Sequence, residues 1–403
     1  MRILYVTTEY VDEETLRPLS GGLARYLLKI TQLMRARGHD VDVLVFGARR
    51  THDVAVDGVS VRFLDKSYRY NALQRLKMRL LSPAARANYE SDTMGRKIAS
   101  WIRAENRRRK IDLVQYASYG ATGRFPVREI PNCVRISSYA KLWQRYYGYE
   151  DAVETRDEEL QFRKARFLYG PSASVAQFIK DDLKLDLDIR VIETPFVFSE
   201  ETPDESLLRQ VETETEGKPY LLFFGTLGCL KGGEEIAASV HDFLGEHPDL
   251  HLVLVGKVAN GGADTSLDDI RRRAGEFADR VHWHGAQPHA RLMPVVRGAK
   301  AVLLPSRIDN LPNTCIESMG LGKVVIGSRG ASFEQLIDDG ASGLLCEAGD
   351  AASITDAVRR LMALPEDRCR EMGERAKARV ARLRPDVIVP QVEAFYREVV
   401  ARW

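Results

Sequence analysis

The sequence predicts an α/β protein of two doubly wound parallel-sheet domains. Its 403 residues are too many for one hydrophobic core, and two domains of roughly 200 residues each are the expected division. Short apolar runs alternate with helical patterns along the chain, as strands and crossover helices do in parallel sheets. A polar segment containing glycines follows the first apolar run of each half, at 21–22 and 225–233. Two domains at residues 1–195 and 219–385, joined by an acid-rich linker at 196–218, are therefore predicted.

The charge balance and the cysteines narrow the classes of protein. With 59 basic and 57 acidic residues the net charge is only +2, which argues against a general nucleic-acid binder. Five scattered cysteines without a C-x-x-C pair argue against a zinc site or a disulfide framework, and they favour the cytoplasm. No run of about 20 apolar residues is present, and the apolar run at the N-terminus is too short for a signal sequence. A cytoplasmic protein is therefore expected.

The first half opens with a predicted strand at 2–9, a polar loop and a helix. The apolar face of this helix consists of Leu23, Leu27, Ile30 and Met34. Gly21 and Gly22 come just before it, and they either let a ligand approach the backbone or simply make a tight turn. Arg25, one turn into the helix, either faces a ligand or is solvated. A second strand at 41–46 completes a strand-helix-strand unit.

A strongly basic segment follows at 62–110, where 14 lysines and arginines stand against 4 acids, a local charge of +10. Within it, a helix at 72–81 places leucines 73, 76, 80 and 81 on one side, with basic residues between them. Such a helix either docks peripherally on an anionic membrane surface or acidic acceptor, or packs on the core with its basic face in water. The core-packed helix is the favoured interpretation.

Further strands are predicted at 111–116 and 133–138, and their carboxyl ends should point toward a ligand, as they do in open α/β sheets. Gln115, Ser137 and Tyr139 are therefore candidates for substrate contact, and structural roles for them stay open. The second half repeats the alternation, with strands predicted at 220–225, 251–256, 281–285, 301–305, 323–327 and 343–346. Both halves thus predict ligand contacts at strand ends.

The segment 223–233 has the position of a phosphate loop, because it follows the first strand of the second half and opens a helix. Its spacing is neither that of a Walker A motif nor G-x-G-x-x-G, which disfavours an ATPase or a dehydrogenase. A strand-to-helix turn with a solvated Lys231 is the structural alternative. The spacing alone leaves both interpretations open.

The stretch 304–327 ends a buried strand, crosses a polar loop and opens a helix. It places two carboxylates, Asp309 and Glu317, on either side of the helix start. Thr314 and Glu317 have the spacing of a capping box, so Glu317 has a purely structural alternative. Free N–H groups at a helix start also favour phosphate oxygens, and a carboxylate accepts hydrogen bonds well from hydroxyl groups.

This stretch resembles the donor-binding signature of retaining glycosyltransferases of family 4. The pattern is Pro-Ser, an acid, seven residues, a glutamate, then Met-x-x-Gly before an apolar strand. Asp309 stands where glutamate is usual, and Lys323 where proline is usual. The resemblance implies the GT-B architecture, two Rossmann-like domains facing across a cleft. It also implies that the last helix, about 386–403, crosses back onto the first domain.

The resemblance implies roles for the donor-side residues. Glu317 is expected to hold the ribose hydroxyls of a nucleoside-diphosphate sugar, and Asp309 to contact its sugar. Lys231 would neutralise the diphosphate and, with Asp309 and Glu317, form the catalytic set. The other expected donor-binding positions are Gly225, Thr226, Gly232, Gly256, Lys257, Asn313 and Thr314. Thr226 replaces an arginine of the family pattern, and another base such as Lys257 or Arg307 is expected to compensate.

On the acceptor side, the resemblance places Gly21, Gly22 and Arg25 along the cleft. Ser137 occupies the position of a histidine found in many relatives, so no catalytic histidine is expected there. Retention of anomeric configuration is implied by the family. Because a lysine and backbone dipoles can stabilise the leaving group, and no D-x-D pair lies in a strand-end loop, neither a metal ion nor another cofactor is expected.

The sequence thus favours a metal-independent glycosyltransferase that acts on a carbohydrate, lipid-linked or small-molecule acceptor. A sugar-nucleotide epimerase or a phosphorylase of similar architecture is an alternative within the enzymes. A non-catalytic nucleotide-sugar-binding or scaffold protein is an alternative outside them, motivated by Thr226, Ser137 and Asp309. Lys231 and Glu317, which match the pattern, argue against loss of activity.

Overall fold

The computed structural model describes residues 1–19, 21–197, 201–259 and 267–403. The elements of the first half are β1 (Arg2–Thr7), α1 (Gly22–Ala36), β2 (Asp40–Ala48), β3 (His52–Val56), β4 (Val59–Asp65), α2 (Ala72–Leu80), α3 (Pro83–Arg108), β5 (Leu113–Ala117), β6 (Asn132–Arg135), α4 (Ala140–Tyr147), α5 (Ala152–Lys164), β7 (Leu168–Gly170), α6 (Ala173–Leu183) and β8 (Ile189–Val191).

The elements of the second half are α7 (Ser206–Glu214), β9 (Tyr220–Phe224), α8 (Gly233–Glu246), β10 (His251–Val255), α9 (Leu267–Ala274), β11 (Val281–Trp283), α10 (His289–Gly298), β12 (Ala301–Leu304), α11 (Asn313–Gly320), β13 (Val325–Arg329), β14 (Leu344–Glu347), α12 (Ala351–Met362), α13 (Glu366–Val380) and α14 (Pro385–Ala401).

These strands form two sheets, one from each half of the chain. The first has eight strands in the order β3-β4-β2-β1-β5-β6-β7-β8, and it is parallel except for the edge pair β3–β4. The second has six parallel strands in the order β11-β10-β9-β12-β13-β14. Central strands such as β5 and β9 are buried along their whole length, as parallel strands covered by helices on both faces must be. The predicted α/β fold class is confirmed.

Helix α14 belongs to the packing of the first sheet, although it ends the second half. Its buried residues recur at helical spacing, and the Tyr396 hydroxyl lies 3.1 Å from that of Tyr169 on β7 and 3.4 Å from that of Tyr5 on β1. The buried amide oxygen of Gln115 on β5 accepts hydrogen bonds from both Tyr169 and Tyr396. These paired hydroxyls satisfy polar groups that would otherwise be costly to bury.

Part of the interval predicted as a linker is helical. Residues 198–200 lie outside the described residues, but α7 occupies 206–214 and packs against α10. Only two of its side chains, Leu207 and Val211, are buried. Two apolar residues one turn apart among polar neighbours are too weak a pattern to distinguish a helix from a polar linker.

Helix α2 differs more sharply from its favoured interpretation. None of its residues is buried, and Leu73, Leu76 and Leu80 are 76%, 55% and 80% exposed. The prediction that this helix packs on the core is therefore wrong. Within the described parts of the chain, no helix combines the length and the apolar character needed to cross a bilayer.

Candidate functional site

Two loops of the second half pack backbone against backbone. The phosphate loop, residues 225–232, runs from β9 to α8, and residues 305–312 run from β12 to α11. The Arg307 N–H donates to the Leu230 carbonyl at 3.0 Å. Gly232 has φ +79°, and a Cβ there would lie 2.0 Å from the Pro305 carbonyl oxygen. Only glycine fits this crossing, because an added methyl group would overlap the backbone.

This crossing brings Lys231 to Asp309, with which its ammonium forms an ion pair. The Lys231 side chain is 39% exposed and that of Asp309 is 15% exposed, so the lysine end of the pair is accessible to a ligand from solvent. The same stretch touches the first domain, where the Asn310 amide donates to the Ser137 carbonyl at 3.1 Å. Lys231, Asp309 and Ser137 therefore lie around one junction between the two sheets.

The other donor-side positions are grouped around the ends of β9 and β10. Gly256 has φ +147°, and a Cβ there would lie 1.7 Å from the Gly225 carbonyl oxygen. The Thr314 methyl group lies 4.0 Å from where a Cβ on Gly225 would stand. Thr226 and Lys257 are exposed at this end of the strands. The start of α11 and the phosphate loop thus face each other, as a diphosphate site requires.

The capping-box interpretation of Glu317 is wrong. Helix α11 begins at Asn313 after Pro312, and no side chain caps its N-terminus. Thr314 is the second residue of the helix, so it is not placed to act as the cap. Glu317 is instead largely buried, and burial raises its pKa to about 7 against the opposing effect of Arg25 and Lys29. Its ion-pair contact with His289 is long, at 3.9 Å.

Glu317 lines a cavity of about 1020 Å³ between the two halves of the chain. Helix α1 forms one wall with Gly22, Arg25 and Lys29, and α10 and α11 form the other. His289, at the start of α10, lies on that second wall. The cavity is large enough for a nucleoside, and it places two cations from the first domain near a carboxylate of the second.

Sequence reasoning missed Lys29 and the contact of His289 with Glu317. Burial lowers the pKa of Lys29, whereas the negative charge of Glu317 raises it. The sequence did indicate Lys29, because it follows Arg25 by four residues and therefore lies on the same face of α1. Nothing in the sequence paired His289 with Glu317, a residue 28 positions later.

Two acceptor-side predictions are wrong, because both side chains lie inside the first domain. Gln115 is 1% exposed and is held by the tyrosines of β7 and α14. Tyr139 is fully buried, packs against Phe162 and Phe178, and donates its hydroxyl to Asp182. Side chains alternate across a strand and helices cover both faces, so proximity to a strand end does not fix which residues reach the cleft.

Gly21 immediately precedes α1, Gly22 begins it and Arg25 lies one turn further along, and their acceptor-side role stays a prediction. A Cβ on Gly21 would lie 2.7 Å from a carboxylate oxygen of Glu9, the residue that follows β1. Gly22 and Arg25 line the cavity beside Glu317. The close approach to Glu9 therefore concerns Gly21, whereas nothing lies within 4 Å of where a Cβ on Gly22 would stand.

The expected compensation by Arg307 is not found. Its guanidinium pairs with both Glu234 and Glu235 at 2.5 Å, which ties it to the first turn of α8. Two carboxylates already satisfy this charge, so it is not available to replace the arginine missing at Thr226. Lys257 remains exposed at the end of β10.

A buried carboxylate supports the first-domain side of the junction. Glu158 on α5 is 1% exposed, and one of its oxygens accepts from the Ala140 N–H at the start of α4. Helix α4 in turn reaches the phosphate loop, where the Cys229 thiol lies 3.7 Å from the Tyr146 carbonyl. Burial raises the pKa of Glu158 to about 8. The ionised form of Glu158 therefore destabilises the folded state.

We expect Glu158→Gln to stabilise the protein at high pH. A carboxyl group with a raised folded-state pKa stabilises most below its unfolded pKa, and this contribution is lost as pH rises through about 8. The penalty at pH 9 is of order 5 kcal/mol, and glutamine keeps an oxygen that accepts from the Ala140 N–H. Melting curves of both proteins at about pH 5 and pH 9 measure the difference. Equal pH dependence of the two would contradict a buried, titrating Glu158.

Two family models match the chain, one over each half. The model described as Glycosyltransferase Family 4 matches residues 20–196. The model described as Glycosyl transferases group 1 matches residues 204–379. The chain is also similar to the D-inositol 3-phosphate glycosyltransferase of Nocardia farcinica, with 30% identity over 169 residues, 41% of this chain and 37% of that protein. The match therefore spans less than half the length of this relative.

Solved structures share the whole fold. Sucrose-phosphate synthase from Thermosynechococcus elongatus has a TM-score of 0.75 and 18% identity, and all of both chains is covered. Anabaena HepE in complex with UDP has a TM-score of 0.69 and 16% identity, covering 99% of this chain and 100% of that one. At such identities the likeness concerns the fold alone. The GT-B architecture predicted from the sequence is confirmed.

Proposed function

The chain belongs to the group 1, family 4 glycosyltransferases, and from this membership we propose that it transfers a sugar from a nucleoside-diphosphate sugar to a hydroxyl acceptor. Transfer proceeds with retention of configuration and without a metal ion. The acceptor is a carbohydrate, a lipid-linked saccharide or a small molecule. D-Inositol 3-phosphate, named in the Nocardia relative, is the first small acceptor to test.

The observation that carries this proposal is the buried carboxylate of Glu317, which lines a nucleoside-sized cavity together with Asn313 at the start of α11. A buried carboxylate needs partners, and its contact with the His289 ring is long, at 3.9 Å. Two ribose hydroxyls would donate to it and supply the missing hydrogen bonds. Arg25 and Lys29 favour its charged form.

The diphosphate would lie between the phosphate loop and the start of α11. Lys231 exchanges its partner Asp309 for the diphosphate oxygens when the donor binds, and Asp309 turns to the hydroxyls of the sugar. As the bond from the anomeric carbon to phosphate oxygen breaks, charge grows on the leaving group, and the ammonium with the helix N–H groups stabilises it. The acceptor oxygen bonds to the anomeric carbon on the same face, and its proton passes to the departing phosphate oxygen.

Calorimetric titration tests the donor site directly. The purified protein is titrated with UDP, GDP, ADP and dTDP in EDTA and again with magnesium. UDP is the first choice, because HepE of the same fold was solved with it. Selective binding that does not need magnesium supports the proposal and identifies the base. No binding of any nucleotide would contradict it.

We expect nucleotide affinity to depend on the ionisation of Glu317. The carboxylate accepts from the ribose hydroxyls better than the carboxylic acid does, so binding should tighten as pH rises through about 7. Between about pH 6 and pH 8 the ionised fraction rises roughly tenfold, which sets the largest expected gain. Glu317→Gln should bind more weakly at high pH and lose this part of the pH dependence.

The Gln variant also corrects for ionisation of the nucleotide phosphate, because that change is common to both proteins. The comparison of interest is therefore the difference between the two titration series. If both proteins show the same slope and the same affinity, Glu317 does not hold the ribose. A lower melting temperature with unchanged affinity would give it a structural role.

A non-catalytic nucleotide-sugar-binding protein is the second candidate. The observation that favours it is the missing cation, because Thr226 is exposed and Arg307 is already paired with two glutamates. Lys231 is then the one phosphate-loop cation retained from the family pattern. Hydrolysis of the donor in the absence of acceptor distinguishes the two, since a binding protein that holds the nucleotide sugar would leave it intact.

A further inference from the structure

Helix α2 presents an apolar stripe to the surroundings. Leu73, Leu76 and Leu80 are 76%, 55% and 80% exposed. At about 100° per residue, these positions lie within an arc of roughly 60° on the helix. Lys77 follows on one side of the stripe and Arg79 on the other. The arrangement is that of an amphipathic helix whose apolar side faces away from the protein.

The local structure holds α2 in this orientation. Its start is fixed by a capping box, in which Asn71 accepts from the Gln74 N–H and Gln74 accepts from the Asn71 N–H. Its last turn is tied to α3, because the Arg86 guanidinium donates to the Met78 carbonyl at 2.9 Å. Gln74 and Met78 are half-buried, which identifies the side that rests on the protein. The outward direction of the leucines follows from these anchors.

The segment that carries the stripe is rich in cations. Residues 66–89 contain six lysines and arginines and no aspartate or glutamate. All six are exposed, and they are Lys66, Arg69, Arg75, Lys77, Arg79 and Arg86. Tyr68, beside the helix, is 41% exposed and packs at 5.0 Å against the ring of Tyr70. Leucines, an interfacial tyrosine and cations without carboxylates fit the boundary between acyl chains and anionic headgroups.

We propose that residues 66–86, the α2 surface, dock the protein on an anionic lipid bilayer. Leu73, Leu76 and Leu80 enter the headgroup boundary, and the surrounding cations contact lipid phosphates. A second copy of the chain fits this surface poorly, because pairing two α2 surfaces would oppose six cations to six cations. The sign of the charge therefore selects the lipid surface. This inference is independent of the proposed catalytic activity.

Docking would also orient the molecule. The segment leading to α2 leaves the first sheet at the carboxyl end of β4, and β4 runs parallel to β2, which runs parallel to β1. The glycine loop before α1 leaves β1 at the same edge of the sheet. The α2 surface therefore lies toward the cleft side of the first domain. If the proposed transferase activity also holds, a bilayer bound there would place its acceptor side near lipid-linked substrates.

Flotation of the full chain with vesicles tests the proposal. The vesicles are phosphatidylcholine with or without phosphatidylglycerol, and binding is expected only with the anionic lipid. Two triple variants test the two contributions separately. Leu73→Ser/Leu76→Ser/Leu80→Ser removes the apolar stripe, and Arg75→Gln/Lys77→Gln/Arg79→Gln removes three of the cations. Each should reduce the partition coefficient at least about tenfold, because each buried leucine and each interfacial cation contributes measurably.

Matched controls carry the same number of changes at exposed positions elsewhere. Val191→Ser/Val387→Ser/Val400→Ser replaces residues that are 41%, 41% and 36% exposed, and Lys184→Gln/Arg370→Gln/Lys377→Gln removes three exposed cations. Both control proteins should float like the parent, and unchanged circular dichroism melts of every variant show that folding is intact. Equal binding to neutral vesicles, or no loss in the α2 variants, overturns the proposal. A dimer that dissociates in the leucine variant would overturn it in favour of a second copy.

Discussion

Lys231→Ala is expected to lower the rate constant of sugar transfer by about 10²–10³-fold, with little change in the folded structure. In the proposed mechanism the lysine supplies the positive charge of the phosphate loop nearest the departing diphosphate, and Arg307, which is paired with two glutamates, is not available to replace it. A charge that stabilises only the developing leaving group acts on kcat more than on the Michaelis constant. Steady-state kinetics with the donor identified by titration measure both parameters.

The ion pair with Asp309 complicates this substitution, because alanine leaves a carboxylate with 15% exposure without its cation. Lys231→Ala combined with Asp309→Asn removes both charges. Melting temperatures of the single and double variants then show how much of the effect comes from loss of stability. If the double variant recovers stability but not activity, the lysine acts on the diphosphate. Near-normal kcat in Lys231→Ala would exclude it from leaving-group stabilisation.

The second large effect is expected at Gly232, where the two site loops cross. An alanine Cβ would lie 2.0 Å from the Pro305 carbonyl oxygen, and φ is +79°, so either loop must move. Left-handed backbone alone costs alanine about 1–2 kcal/mol, and the overlap adds to that. Because Lys231 precedes this residue and Asp309 follows Pro305, nucleotide binding and transfer should both fail. Thermal melting and the nucleotide titration measure the two losses.

Gly340→Ala is the matched control for this prediction. Gly340 has φ +76°, and nothing lies within 4 Å of an added Cβ, so only the backbone cost remains. The control should lose about 1–2 kcal/mol of stability and keep its nucleotide affinity. If both variants behave alike, contact between the loops does not determine the geometry of the site.

The sequence predicted the fold well because periodic apolar runs record which faces are buried. It also selected Lys231 and Asp309 as candidate site residues, and the structure brings these two side chains together where Gly232 crosses Pro305. Their roles stay predictions. The failures concern residues whose surroundings come from distant segments. Gln115 is covered by α14, about 280 residues later, and Tyr139 by a carboxylate on α6. No local pattern encodes such contacts.

For Glu317 and α2, in contrast, a local sequence pattern was present but favoured the wrong structural environment. Thr314 and Glu317 have capping-box spacing, but Pro312 precedes the first turn and moves the helix start. In α2 the leucine spacing is equally suited to a core or to a membrane, because both are apolar environments. Only the position of the neighbouring elements decides between these environments.

The tyrosine contacts of α14 have a consequence for how the chain folds during synthesis. Tyr5 and Tyr396 meet across 391 positions of sequence, inside the core of the first domain. A ribosome that has finished residues 1–195 has therefore not yet made a helix that this domain needs. One face of the N-terminal sheet therefore stays uncovered while the second domain is translated. Exposed apolar surface of this kind is what chaperones bind.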